Sequence, residues 1–321
     1  MDTSRWDPEM LAFQKEAEAY AAKYPPVKFE MPIGPHRAVN DLLSMRAVAG
    51  GPVPAETVDR WIPAEGRRVF CRVYRPRTDR PTPVMVYFHG GGWVWSSVDT
   101  HDRLAREISS AASLSLVSVD YSLAPESKFP RALNECHQSI KHIAEHGAEW
   151  GLDTSQILLG GDSAGGNLAL AAAIRLRDEA SNVPVRGIVL AYPVCDSNPE
   201  TASYREFATG YGLTRDRMMA FWNAYVANPD DLRDPLAAPL RAELKGLPPV
   251  LVLLAELDIL RSEGEALVEK LRQSGVDTEL ETYKGVTHGF LRASSTVGKA
   301  RQAIARAGEW LKRIQAGAAK A

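Results

Sequence analysis

A serine enclosed by glycines is the first feature of the chain with clear chemical potential. The segment GDSAG occupies residues 161–165 and matches the pattern GxSxG, with Ser163 at its centre. The apolar run QILLGG before it predicts a strand, and GNLALAAAI after it predicts a helix. A strand, a tight turn and a helix in this order expose a serine hydroxyl as a nucleophile. The alternative interpretation is a glycine-rich turn in which Ser163 only caps the helix.

A second glycine cluster, HGGGW at residues 89–93, directly follows the predicted strand PVMVYF. Consecutive glycines let backbone amides approach a ligand closely, and aimed amides stabilise the oxyanion of a tetrahedral intermediate in acyl transfer. We assign this role to the N–H groups of Gly91 and Gly92, with the Ala164 N–H as a third donor. The alternative, a phosphate cradle, would favour a nearby lysine, which the loop lacks. His89 is expected to orient the loop and not to act as the base.

A serine nucleophile needs an imidazole to accept its proton and a carboxylate to orient that imidazole. Of the seven histidines, only His288 follows Ser163, and it comes directly after the predicted strand TELETYKG. Asp258 ends the apolar strand PPVLVLLAEL, so it is the predicted acid. Glu256, at the end of the same strand, and Asp196, after the preceding strand, remain as alternatives.

The elements around these motifs alternate between apolar strands and helices from about residue 56 onwards. This order predicts a mostly parallel sheet with helices on both faces, entered by a hairpin that turns at Glu65 and Gly66. Together with the serine turn between a strand and a helix, it indicates an α/β-hydrolase fold. Residues 1–50 contain two helical stretches without a β pattern, and we interpret them as an arm that forms part of a cap. Residues 51–321 would be the catalytic domain, with a helical cap insertion at about 197–228.

Composition limits the possible partners and the compartment. A formal net charge of −2 over 321 residues provides no global field to attract nucleic acid or anionic lipid. The N-terminal sequence MDTSRWDPEM lacks the features of a signal peptide, and the apolar runs are far shorter than the ~20 residues that span a bilayer. We therefore expect a cytoplasmic protein without a membrane anchor. Cys71, Cys136 and Cys195 have no metal-like spacing and are expected to be reduced, although one disulfide stays possible.

The substrate pocket is predicted from aromatic and apolar residues near the motifs. For each of them the alternative is packing between the cap and the sheet. The candidates are Trp93, Trp95, Tyr192, Leu213, Phe221 and Trp222.

Taken together, the motifs resemble the hormone-sensitive-lipase-like esterases, which are bacterial family IV carboxylesterases of the α/β-hydrolase superfamily. The resemblance rests on HGGG, GDSAG, YSLAPESKFP, DPLAAPL and YKGVTHGF, and it covers the chain from about residue 56 to the end. It implies that Ser163, Asp258 and His288 form a triad that hydrolyses short- to medium-chain carboxylic esters. It also implies that neither a cofactor nor a metal is required, and that a homodimer is a plausible assembly.

Two other functions stay open on the sequence. The same triad could hydrolyse amides, for example an aryl formamide, and no residue decides between the two reactions. A non-catalytic receptor for a small ligand is the other alternative. Plant gibberellin receptors resemble this family but have lost the catalytic histidine, whereas His288 is present in this chain.

Overall fold

The computed structural model describes residues 3–318. Residues 1–2 of the predicted arm and residues 319–321 of the predicted catalytic domain lie outside the described residues. Its centre is one sheet of eight strands in the order β1-β2-β4-β3-β5-β6-β7-β8. Strand β2 runs antiparallel to both of its neighbours, and the other neighbouring pairs are parallel. The strands are β1 (Glu56–Ala64), β2 (Arg67–Arg75), β3 (Thr82–Phe88), β4 (Ser115–Asp120), β5 (Leu152–Asp162), β6 (Val185–Ala191), β7 (Val250–Leu257) and β8 (Thr278–Thr287).

Helices cover both faces of the sheet. Helices α3 and α9 pack together on one face, and α4, α5 and α8 cover the other. The helices are α1 (Pro8–Ala21), α2 (Gly34–Ser44), α3 (Asp102–Ala112), α4 (Arg131–His146), α5 (Ala164–Asp178), α6 (Ala202–Glu206), α7 (Arg215–Tyr225), α8 (Arg261–Gln273) and α9 (Gly298–Ala318). This architecture confirms the predicted α/β-hydrolase fold. No helix in the described part of the chain has the length and apolar character needed to cross a membrane.

The central strands are apolar along their length because both of their faces are covered. In β7, for example, every residue from Val250 to Ala255 is buried. The hairpin of β1 and β2 turns at Glu65 and Gly66, both of which have positive φ, as a two-residue turn of this hand requires. The three cysteines are buried free thiols.

The segments outside the alternating pattern lie near the carboxyl ends of the parallel strands. Helices α6 and α7 belong to the long connection between β6 and β7. The first fifty residues contact this connection, since Trp6 stacks on Tyr211 with ring centroids 5.6 Å apart. Phe29 packs against both Trp95 and Phe221, at centroid distances of 5.3 and 5.0 Å.

Helix α2 is also tied to the sheet by Arg37. Its guanidinium donates to the carbonyl oxygens of Val94, at 2.8 Å, and Ala124, at 2.6 Å, and it forms an ion pair with Glu126. The arm is therefore fastened to the loops that follow β3 and β4.

Candidate active site

Ser163 lies in the turn between β5 and α5, with φ 55° and ψ −120°. The turn can be this tight only because its two flanking glycines have no side chain. A Cβ on Gly161 would come within 2.3 Å of the Gly165 backbone, and a Cβ on Gly165 within 1.9 Å of the Phe88 carbonyl oxygen. The local sequence thus holds Ser163 in a backbone conformation that residues other than glycine rarely adopt. Backbone strain of this kind is concentrated at functional sites.

A chain of two short hydrogen bonds links Ser163 to an acid. His288 Nε2 is 2.8 Å from Ser163 Oγ, and His288 Nδ1 is 2.7 Å from Asp258 Oδ2. The other oxygen of Asp258 accepts a hydrogen bond from the Leu260 amide at 3.0 Å, which holds the carboxylate at the end of β7. The edge of the Tyr192 ring packs against His288 with centroids 4.9 Å apart. The structure therefore brings together the three side chains that were predicted to act together.

The two alternative acids are engaged elsewhere. Glu256 accepts a hydrogen bond from the Gly285 amide at 2.8 Å. Asp196 forms an ion pair with Arg241 at 2.8 Å. Asp258 is consequently the acid that contacts His288.

The glycine loop after β3 turns back on itself beside Ser163. Gly91 and Gly92 have φ values of 123° and 61°, and the Gly91 carbonyl accepts hydrogen bonds from the Val94 and Trp95 amides. No acceptor in residues 3–318 takes a hydrogen bond from the Gly91 or Gly92 amide. Ala164 is the first residue of α5, so its amide likewise has no helical acceptor. Free donors at these positions suit an anionic oxygen.

His89 lies under this loop and away from the cavity that contains Ser163. Its ring stacks on Tyr121 with centroids 4.5 Å apart, and its Nδ1 is 2.8 Å from the Gly90 carbonyl oxygen. Complete burial lowers the pKa of His89 to about 3, so the ring is neutral at pH 7. These contacts suit the orienting role that was predicted for this residue.

Asp162 is a functional candidate that the sequence reasoning missed. The carboxylate is buried, and its Oδ1 accepts hydrogen bonds from the Tyr87 hydroxyl at 2.8 Å and the Gly90 amide at 2.9 Å. Burial alone would raise the pKa of Asp162, but His101, 3.5 Å away, and the Tyr87 hydroxyl hold that pKa well below its ordinary value. Asp162 therefore joins the glycine loop to the turn of Ser163. The available signal was an aspartate beside the candidate nucleophile in an otherwise apolar stretch.

A cavity of about 420 Å³ opens above Ser163 and His288, and Gly91 and Gly92 form part of its wall. Three of the six predicted pocket residues also line it, namely Trp95, Leu213 and Phe221.

The other three predicted pocket residues do not line this cavity, and that part of the prediction is corrected. Trp93 stacks on Tyr225 at 4.1 Å with nearly parallel rings, and Trp222 packs against Trp93 at 4.8 Å. Tyr192 is fully buried between His288 and Phe290. All three side chains pack against other rings in the interior of the protein.

Several residues of the cavity wall were not predicted. Phe13 and Leu43 come from the N-terminal helices, and Arg217 and Met218 come from α7. The helical pattern of the first fifty residues predicted α1 and α2, but not which of their side chains would face the cavity. Nothing in the local sequence distinguishes Arg217 from a surface arginine.

The chain is similar to proteins of known family. A family described by its alpha/beta hydrolase fold matches residues 85–292. The carboxylic ester hydrolase LipN of Mycobacterium tuberculosis is 36% identical over 76% of this chain and 67% of its own length. The arylesterase of Saccharolobus solfataricus is 35% identical over 86% of this chain and 89% of its own length. Among solved structures, an esterase of Pyrobaculum calidifontis superposes with a TM-score of 0.87 and 34% identity, covering 97% of this chain and 99% of that one. Given these matches, the chain belongs to the α/β-hydrolase family, in the hormone-sensitive-lipase-like branch that its motifs resemble, and this prediction is confirmed.

Proposed function

We propose that the chain is a serine carboxylesterase that hydrolyses short- to medium-chain carboxylic esters through an acyl-enzyme on Ser163. The observation that carries the proposal is the continuous hydrogen-bond chain from Ser163 through His288 to Asp258, which ends at a cavity with free backbone donors. The names of the relatives, an arylesterase and a carboxylic ester hydrolase, support the same chemistry.

In the acylation step, His288 Nε2 accepts the proton of Ser163 Oγ while that oxygen attacks the ester carbonyl carbon. The imidazolium that forms is stabilised by the Asp258 carboxylate at Nδ1, and the Leu260 amide keeps this carboxylate in place. His288 then protonates the departing alkoxide, so that an alcohol leaves and the acyl group stays on Ser163. In the second half of the reaction His288 takes a proton from water while the water oxygen attacks the acyl carbonyl carbon. The bond from that carbon to Ser163 Oγ then breaks, His288 returns the proton to Oγ, and the acid leaves.

The negative charge that develops on the carbonyl oxygen needs donors that are already in position. The amides of Gly91, Gly92 and Ala164 take this role in the proposal. Loss of one such donor typically costs ~3 kcal/mol of transition-state stabilisation. The Asp162 bridge matters here because it holds the loop that carries two of the three donors.

The first fifty residues and the 197–228 insertion together form the cap in this proposal, since both contribute side chains to the cavity wall. A cavity of about 420 Å³ lies towards the small end of the ~300–1,000 Å³ range of ligand pockets. This size favours short and medium acyl chains over long ones.

The test is hydrolysis of p-nitrophenyl esters from acetate to palmitate by the wild type and by Ser163→Ala. Ser155→Ala is a matched control, because Ser155 is exposed near the opposite end of β5. We expect turnover of the short and medium chains by the wild type and the control, and none by Ser163→Ala. Inactivity of the wild type on every chain would contradict the proposal, and assay of a matched aryl formamide would then test amide hydrolysis.

A further inference from the structure

The cavity wall contains a cation without an anionic partner. Arg217 lies in the first turn of α7 and lines the same cavity as Ser163 and His288. Within residues 3–318 its guanidinium has neither a hydrogen bond nor an ion pair, and its contact is with the Phe221 ring, 5.8 Å from the ring centroid. The side chain is half-buried, and burial lowers the pKa of Arg217 with no neighbouring carboxylate to oppose the shift. A guanidinium nevertheless stays charged at any pH at which proteins fold.

The neighbouring arginine on the same helix behaves in the ordinary way. Arg215 forms an ion pair with Glu200 and donates to the Pro199 carbonyl oxygen at 3.2 Å. It does not line the cavity. Of these two arginines at the start of α7, the one that is turned away from the cavity is paired and the one that lines the cavity is not.

The other charges around the cavity are compensated. Arg46 is paired with Glu16. The Arg292 and Asp162 charges attract each other at the inner end of the cavity. Of the three arginines that the described residues contribute to the cavity wall, Arg217 is the one that no carboxylate pairs with or attracts.

The position of Arg217 relative to the reacting atoms follows from Phe221. The Phe221 ring lies directly over Gly92, where an added Cβ would be 2.3 Å from Cδ1 of the ring. Arg217 is one helical turn before Phe221, so the two side chains lie on one face of α7 and line the same cavity as Gly92.

We propose that the preferred substrates are esters with a carboxylate remote from the scissile carbonyl, and that Arg217 binds this carboxylate. The inference rests on the proposed esterase function and names its substrate class. A guanidinium can bind a carboxylate through two parallel hydrogen bonds, and such charge-assisted bonds are roughly twice as strong as bonds between neutral groups. Arg217 is therefore a specificity residue that contacts the substrate and takes no part in proton transfer.

The experiment compares pairs of esters that differ in one charge. Monoethyl adipate is paired with ethyl hexanoate, which has an uncharged acyl chain of the same length. Hexyl acetate is paired with its analogue that has a carboxylate at the far end of the hexyl chain. Released alcohol or acid is quantified by chromatography, and kcat/KM is measured for the wild type, Arg217→Gln, Arg217→Met and the control Arg215→Gln.

In at least one pair we expect the wild type to favour the anionic ester by about tenfold or more, as a charge-assisted contact would provide. Both Arg217 variants should bring this ratio close to one, mainly by raising KM for the anionic ester, while Arg215→Gln keeps the wild-type ratio. Arg217→Met retains an apolar stem against Phe221, so it separates loss of charge from loss of packing.

Hydrolysis of p-nitrophenyl butyrate distinguishes failure of this inference from failure of the esterase proposal. A wild type that hydrolyses this ester but prefers neither anionic substrate overturns the role of Arg217 and leaves the esterase proposal intact. An equal loss of activity on anionic and neutral esters in the Arg217 variants would also overturn it, because that result assigns Arg217 a purely structural role.

Discussion

Replacement of Asp162 by asparagine tests whether one buried carboxylate connects the glycine loop to the nucleophile turn. The substitution preserves shape, and an amide oxygen can still accept from the Tyr87 hydroxyl and the Gly90 amide. What is lost is the negative charge. Hydrogen bonds to a charged acceptor contribute ~1.5–3 kcal/mol and those between neutral groups ~0.5–1.5 kcal/mol. Two such bonds therefore lose about 2–3 kcal/mol, and the nearby charge of Arg292 loses its counter-charge as well.

We accordingly expect Asp162→Asn to lower the free energy of unfolding by about 3 kcal/mol. In a chain of 321 residues that change corresponds to a fall in Tm of about 4–5 °C. Because the Gly90 amide is then held less firmly, kcat/KM for p-nitrophenyl butyrate should fall about 10- to 100-fold, as small displacements of catalytic groups do. The assays are urea unfolding followed by tryptophan fluorescence, and initial rates at a temperature where the variant is folded.

Asp178→Asn is the matched control, since Asp178 is exposed on α5 and pairs only with its neighbour Arg177. It should change stability by less than ~0.5 kcal/mol. An Asp162→Asn variant as stable as this control would refute the energetic argument. A destabilised variant with wild-type kcat/KM would refute the link to the glycine loop.

Three further perturbations address the loop, the buried histidine and the arm. Gly92→Ala places a methyl group against the Phe221 ring at a residue with positive φ, so kcat/KM should fall about 100-fold, as it does on loss of an oxyanion donor. Adding Phe221→Ala to this variant should restore part of the lost kcat/KM, and no recovery would contradict the steric cause. His89 stays neutral when folded but takes up a proton when unfolded, so its contribution is complete above pH 6.5 and is lost as the pH falls towards about 3. In urea unfolding at several pH values, the free energy of unfolding of His89→Gln should therefore fall less steeply with decreasing pH than that of the wild type. Equal pH dependence of the two proteins would count against this role. Arg37→Gln breaks the contacts that fasten α2, so we expect a loss of ~2 kcal/mol and faster proteolysis within the first fifty residues; unchanged digestion would show that other contacts hold the arm.

The sheet and the proposed triad could be predicted from sequence because each depends on local signals. Continuous apolar strands alternating with helices indicate a parallel sheet, and the carboxyl ends of parallel strands meet at one edge. Asp258 at the end of one strand and His288 just after the next were therefore expected near Ser163. The structure has them in hydrogen-bond contact.

The cavity wall could not be predicted in the same way. Phe221 and Trp222 are neighbours in the chain, but successive residues of a helix point about 100° apart. Phe221 consequently faces the cavity, whereas Trp222 packs against Trp93. The contribution of α1 and α2 depends on how the arm docks. Arg217 is distinctive because, among residues 3–318, no acid from another element forms an ion pair with it.

The central claim is that Ser163 is the nucleophile, and covalent labelling tests it most directly. The wild type is treated with diethyl p-nitrophenyl phosphate, which phosphorylates activated serines, and the modified peptide is identified by mass spectrometry. We predict one diethylphosphoryl group per chain, attached to Ser163, with loss of esterase activity in proportion to labelling and no labelling of Ser163→Ala. Esterase activity that persists in a fully labelled protein, or a label on another residue that accounts for the inactivation, would contradict the account.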